Sequence, residues 1–254
     1  MERLKRLEII GLEGLREVKP GDSIARLISE ACAREAIALR ANDVLVIAQK
    51  VVSKAEGRIM VLEKVQPSAA ALELSGKLGK DARVVEVILK ESRQIIKTGR
   101  GALIVETHHG FICANAGVDL SNVGLGQVAL LPEDPDRSAA GIREEIQKLH
   151  GAAPGILISD SFGRPWRLGT AEVAVGVAGF KSLRDYRGQT DSHGYELKAS
   201  VTAVADEIAS AAELVMGKTD GVPVALVRGF SMEPGEGTAR ELIRPEAEDL
   251  FRNF

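Results

Sequence analysis

Apolar residues recur along this chain with two different periods, and their alternation predicts a mixed architecture. Unbroken apolar runs read as buried strands: Asp43 to Ala48 (DVLVIA), Gln127 to Leu131, and the run opening at Ile156 (ILIS). Arg6 to Ile10 is a further strand, broken by Gly11 and Gly14, and Val222 to Gly229 is the last. Ala102 to Glu106 and Phe111 to Ala114 read as two strands joined by a hairpin-like turn at Thr107 to Gly110. Spacings of three and four appear at Ile24, Leu27, Ile28, Ala31 and Cys32, after the punctuation of Pro20, Gly21 and Asp22, and predict a helix.

Pro67 to Lys97 is helical twice over: Pro67 suits a first turn, Gly79 a stop and Asp81 a cap. Val84, Val85, Ile88, Leu89, Ser92, Ile95 and Ile96 mark the second stripe. After a loop at PEDPDRSA, Ala139 to His150 is a helix with Ile142, Ile146 and Leu149 inward. Val201 to Met216 follows, with Val201, Val204, Ala205, Ile208, Ala212 and Val215 inward and Gly217 as its stop. Thr238 and Glu241 read as a capping box for a last helix. The strand, helix and strand between Gln127 and the Ile156 run suit parallel pairing, whereas the hairpin-like steps elsewhere forbid a simple doubly wound sheet. The expected fold is α+β, with mixed sheets and packed helices in one domain over residues 1–254. No linker cleanly divides that domain, and two interleaved subdomains fit within it.

Composition narrows the function without naming it. A chain of 254 residues, 45% hydrophobic and 27% charged, can bury one ample core. A net charge of -3 with no basic stripe argues against nucleic acid as a partner, so local cations serve small anions. Cys32 and Cys113 have neither zinc-site nor disulfide-scaffold spacing and read as buried free thiols of a reducing cytoplasm. The stretch MERLKRLEIIGLEG lacks the apolar run of a signal peptide, and no segment reaches the roughly 20 apolar residues of a membrane span. A cytoplasmic location, away from membranes, is expected.

The densest chemistry lies in Ile156 to Gly169, ILISDSFGRPWRLG. It delivers Asp160 and Ser161 at the end of a strand, then Arg164 and Arg167 astride Pro165 and Trp166. An acid and a hydroxyl suit a hard divalent cation, and the two arginines are expected as phosphate contacts. The competing reading makes Asp160 a mere cap or turn former. Asp119, in the loop former NAGVDLSN, could share the same ion with Asp160. Lys50, Lys54 and Arg58 recur every four residues after the Asp43 strand and would concentrate positive charge there, although a solvated basic face is the alternative. His108 and His109 are adjacent, which favours a surface turn over a metal site. The polar loop RDYRGQTDSHGYELK could cover a site, and MGKTDG offers a further turn beside a cation.

These stretches resemble one family, the coenzyme F420-0 gamma-glutamyl ligases, including the ligase domain of the two-domain actinobacterial proteins. The likeness rests on VVSKAEGR at 51–58, CANAGVDLSN at 113–122, SDSFGRPWR at 159–167, VADEIA at 204–209 and VPVALVRG at 222–229. It runs in order along nearly the whole chain. With the sequence ending at Phe254, the flavin-reductase-like second domain of the actinobacterial form is not expected.

The resemblance implies a family-specific ligase fold, an intimate homodimer, and a reaction in which GTP drives addition of L-glutamate to coenzyme F420-0. An acyl phosphate is its implied intermediate and a gamma-linked glutamate tail its product. It implies Mn²⁺ or Mg²⁺, with K⁺ as a further ion. Carried over position by position, Asp119 and Asp160 match the metal-binding acids, with Ser161 where the family often has threonine. The implied GTP contacts are Gly14, Leu15, Arg16 and Glu17, then Gln49, Lys54 and Asn122. Arg16 replaces a frequent proline and Gln49 a frequent serine, which leaves the choice of nucleotide open. The Met216 to Pro223 region matches another contact stretch, but its KTDG differs, and no metal ligand is assigned there. Two other functions stay open: a nucleotide-dependent amide ligase with another acyl acceptor, and a noncatalytic nucleotide sensor. A sensor has little need for paired metal acids.

Overall fold

The computed structural model describes residues 5–99 and 101–251; the first four residues of the stretch read for a leader lie outside the described residues. In chain order the strands and helices are β1 (Glu8–Gly11), α1 (Ile24–Arg34), β2 (Val44–Ala48), α2 (Gln49–Ala55), β3 (Ile59–Val61), α3 (Ala69–Leu78), α4 (Ala82–Lys90), β4 (Ser92–Gly99) and β5 (Ala102–Thr107). They continue with β6 (Ile112–Ala114), β7 (Gln127–Ala129), α5 (Pro135–His150), β8 (Gly155–Arg164), β9 (Arg167–Ala178), β10 (Arg184–Asp185), β11 (Val201–Thr202), α6 (Val204–Met216) and β12 (Val224–Arg228). The architecture is mixed α+β with several sheets.

The main sheet has the order β1-β12-β2-β8-β9, antiparallel except for β2 and β8. Val44 to Ile47 and Ile156 to Ile158 are all 0% exposed, so both faces of the central strands are covered. That is why they read as unbroken apolar runs rather than as alternation. Each such side chain contributes about 1.5–3 kcal/mol of burial. Gly176 on β9 lets α5 approach, because a Cβ there would lie 2.5 Å from the Pro135 carbonyl oxygen. At the end of β2 away from its junction with α2, Asp43, 1% exposed, accepts two bonds from the Arg228 guanidinium, 2.7 and 2.8 Å long.

A second core gathers α3, α4 and the β4-β5-β6 sheet around Val85, Ile88, Leu103 and Val105, while β3 and β7 form a separate antiparallel pair. Ser23, Ser68, Asp81 and Asp134 cap α1, α3, α4 and α5 through their side chains.

Several expectations need correction. The second stripe stops at Lys90, and Ser92 to Gly99 is an edge strand paired with β5, with Ile95 42% exposed; strand pairing overrides the helical spacing of a few apolar residues. α5 begins at Pro135, inside the expected loop, because Asp134 caps it and proline suits its first position. Leu149 faces solvent, and Val201 lies in β11 rather than in α6. β7 pairs with β3, so the parallel partner of β8 is β2, reached across the whole second core. Thr238 makes no side-chain cap bond, and the expected last helix is replaced by two short 3-10 segments, Ala239–Leu242 and Glu246–Glu248.

Candidate functional site

Because β2 and β8 run parallel with Ala48 opposite Ser159, the C-terminal end of β2, leading into Gln49 and Lys50, lies beside the middle of β8, where Asp160 and Ser161 follow. A crevice at the carboxyl ends of parallel strands is a recurrent ligand position. Here it opens into a cleft of about 1270 Å³. The β8–β9 register slips between Ile158 and Ser159, immediately before Asp160; such irregularities re-aim side chains beside functional sites.

The third wall is the CANAGVDLSN loop. Asn115, Ala116 and Gly117 all have positive φ, 55, 56 and 69 degrees, and Asn115 Oδ1 accepts from Leu103 N. This tight turn delivers Asp119, whose backbone bridges to Ala129 on β7. Non-glycine residues in the left-handed region are sparse and cluster at functional positions. Lys50 Nζ donates to Asp119 Oδ2 (2.7 Å) and to Ser121 Oγ (2.8 Å), while Ser121 N donates to Asp119 Oδ1 (2.7 Å). Burial pushes the Asp119 carboxyl up, but Lys50 and Ser121 outweigh it and hold it below the usual range.

Asp160 behaves differently. Burial, with Glu172 and Asp119 adding negative charge nearby, pushes it up to about 7 against the opposing pull of Ser161 N–H and Lys50. Glu172 stands opposite Ser161 in the hairpin and is 5% exposed. Ser161 Oγ donates to Glu172, and Lys218 Nζ donates to Ser161 Oγ (2.6 Å) and Glu172 Oε1 (2.8 Å). Glu213 also pairs with Lys218 (2.6 Å). Burial opposes the charge on Lys218, but these two glutamates raise its pKa overall. The Cys113 thiol is pushed up to about 12 by burial and then by Asp160, so it is inert; both cysteines are buried and free.

Leu15, Arg16, Glu17, Gln49, Lys54, Asn122, Asp119, Asp160 and Ser161 all line this cleft. Gly14 does not; its carbonyl accepts from Arg34 (2.8 Å). Arg16 is held by both carboxylate oxygens of Asp22 (2.6 and 2.8 Å), and Lys54 Nζ donates to Glu17 Oε1. Arg164 and Arg167 do not reach the cleft: they flank the tip of the β8–β9 hairpin, where Arg164 donates to the Leu168 carbonyl. Asp160 and Ser161 lie within β8, not at its end, so the chain continues several residues outward before the arginines arrive. Arg58 is also outside, bonded to the Leu131 carbonyl and Glu91. His108 and His109 bond the carbonyls of Lys90 and Pro132. No residue of Arg184 to Lys198 lines the cleft.

Glu172, Glu213 and Lys218 carry no metal, nucleotide or catalytic motif. Their only local signals are a lone acid in the small apolar run AEVAVGVAGF and the cation of MGKTDG.

The donor set fits a divalent cation in kind: Asp119, Asp160 and the Ser161 hydroxyl are hard oxygens, and the excess of carboxylate around Asp160 is what a cation relieves. Ser159 Oγ and Gln49 Nε2, both in buried side chains beside these acids, have no hydrogen-bond partner among the described residues. No cage is preformed, since no group of three His, Cys, Asp or Glu side chains among the described residues is disposed to hold a metal.

The profile described as F420-0:Gamma-glutamyl ligase matches residues 14–229, a span containing every residue that lines the cleft. The chain belongs to the F420-0:gamma-glutamyl ligase family. It is 47% identical over 250 residues to the coenzyme F420:L-glutamate ligase of Methanocaldococcus jannaschii, covering 98% of each chain. Identity is 46% to the protein of that name from Methanopyrus kandleri, covering 97% of each chain, and 42% to that from Archaeoglobus fulgidus, again covering 97% of each. For a member of this ligase family, the cleft at the β2–β8 junction brings together charged residues of three of these motifs, Lys54, Asp119 and Asp160.

Proposed function

We propose that this chain is a GTP-dependent ligase that joins L-glutamate to the carboxylate of coenzyme F420-0 and then extends a gamma-linked glutamate tail. The observation that carries this reading is the convergence of Asp119, Asp160 and Glu172 with the ammonium groups of Lys50 and Lys218 in one cleft. The names of the relatives, matched end to end, support it.

A free carboxylate is a poor electrophile. Transfer of a phosphoryl group from GTP turns it into an acyl phosphate, which the amino group of glutamate attacks with loss of phosphate. Such transfer depends on positioning and on neutralising charge. Asp119, Asp160 and Ser161 are the residues that would hold Mg²⁺ or Mn²⁺, which when bound neutralises phosphate oxygens; K⁺ is a further ion to test. Lys50, now on Asp119, and Lys218, now on Glu172, supply mobile positive charge at the same end. Leu15, Arg16, Glu17, Gln49, Lys54 and Asn122 line the space for the rest of the nucleotide. A homodimer in the cytoplasm completes the proposal; no described helix is long and apolar enough to cross a membrane.

The test is mass spectrometry of coenzyme F420-0 incubated with purified protein, L-glutamate, Mn²⁺ and either GTP or ATP. Successive glutamate-sized mass steps with GTP are expected. Absence of product with either nucleotide, from folded protein, overturns the assignment of the acceptor.

A further inference from the structure

The two ends of the cleft differ in chemistry, and α2 lies between them. Lys50, in its first turn, meets Asp119 at the acid-rich end. At its other end, Gly21 N donates to the Ala55 carbonyl (2.8 Å), which docks the Leu15–Pro20 segment there. Seven residues at 1.5 Å each separate these ends by about 10 Å, a span suited to the distance between phosphates and base in a nucleoside triphosphate. The docked segment and its surroundings supply Leu15, Val18, Pro20, Ile59 and Val61 to the cleft lining, apolar walls suited to a flat base.

One acid stands among them. Glu17 lines the cleft with its side chain 74% exposed, and Lys54 Nζ donates to its Oε1. That bond orients the carboxylate and uses one of its roughly four acceptor directions, leaving the remainder for a ligand. A carboxylate only accepts. Guanine offers two adjacent donors on its pairing edge, N1–H and the 2-amino group; adenine offers an acceptor at N1 beside its 6-amino donor. A fixed carboxylate therefore matches guanine twice and opposes the adenine N1 lone pair.

We propose that Glu17, oriented by Lys54, is the residue that selects guanine over adenine in this cleft. The proposal rests on the nucleotide-driven reading above and makes Lys54 a positioning residue rather than a direct phosphate contact.

Calorimetric titration of the full chain with GTP, ITP and ATP in Mg²⁺ tests it, using the wild type, Glu17→Gln and Glu17→Ala. ITP lacks the 2-amino group and isolates one of the two bonds. The wild type is expected to favour GTP over ATP by about 100-fold, with ITP between, as two bonds to a charged acceptor imply. Glu17→Gln is expected to lower GTP affinity by a similar factor and to raise ATP affinity, since an amide donates to N1 and accepts from the 6-amino group. A gain in ATP binding cannot come from misfolding. Glu17→Ala should bring the three nucleotides close together. Tight binding with the same GTP to ATP ratio in all three proteins overturns this proposal alone, as does a wild type that favours ATP. A folded wild type that binds no nucleotide overturns both it and the nucleotide-driven reading.

Discussion

The base and the tip of the β8–β9 hairpin carry charged residues at similar density, yet they belong to different environments. At the base, Asp160 is pushed up to about 7 by burial and by its acidic neighbours, and Ser161, Glu172 and Lys218 share one hydrogen-bonded cluster. At the tip, Trp166 and Leu168 are 79% and 97% exposed, and Arg164 closes the turn on the Leu168 carbonyl. Trp166 adopts φ 58 degrees and meets Phe251 edge-on at 4.8 Å. Charge has chemical leverage where water is excluded and partners are constrained. At an exposed tip it is solvated and screened.

The largest expected effect is at the base. Asp160→Asn should lower glutamate ligation by about 10³-fold or more while leaving thermal unfolding unchanged, because a neutral amide is a weaker ligand for a cation and its phosphates. Near-normal turnover would place the chemistry elsewhere. Lys218→Ala should lower turnover by about 10²-fold, as loss of one electrostatic stabiliser does, and steady-state kinetics would report it. An unchanged rate would reduce Lys218 to a structural counter-ion of Glu172 and Glu213.

A smaller effect concerns how the base is held. Asp206 Oδ1 accepts from Ala174 N on β9 (2.9 Å), and burial raises its pKa despite that bond. A carboxyl raised in the folded state binds its proton more tightly there than when unfolded. Its contribution to stability is therefore fully present below the ordinary value of 3.8 and is lost as pH rises through the folded value. Asp206→Asn, which keeps an acceptor for Ala174, should thus gain stability relative to wild type as pH rises from 3.5 towards neutrality. Denaturant midpoints at both limits would measure this, and parallel profiles would remove the burial argument. The smallest effect is at the tip: Arg164→Ala and Arg167→Ala should each change turnover less than about twofold, since exposed ion sites contribute little. A tenfold loss in either would bring the tip into the reaction.

Several residues of the candidate site are legible in the sequence because they sit in compact motifs. Asp119, Lys54 and Asp160 each follow a strand or tight turn within a few residues, and the cleft collects all three. Arg164 and Arg167 lie close to Asp160 along the chain but outside the cleft, because a strand carries successive residues about 3.3 Å apart and away from the floor. Glu172 was invisible for the converse reason: it lies 11 residues from Ser161 along the chain, yet the hairpin register sets the two side by side.

Which segments must be buried is legible in the chain alone, because the apolar period acts over one or two turns, whereas the starts of α5 and α6 moved to Pro135 and Val204. The burial of Val44 to Ile47 and the Asp81 cap of α4 followed from neighbours alone. Tertiary structure decided which strand lies beside which. Only it paired Ser92–Gly99 with β5 against a helical spacing, set β2 parallel to β8, and brought Lys218 from the end of α6 onto Ser161. Backbone hydrogen bonds between strands are indifferent to sequence separation, so pairing is settled by the burial and polar satisfaction of the whole fold.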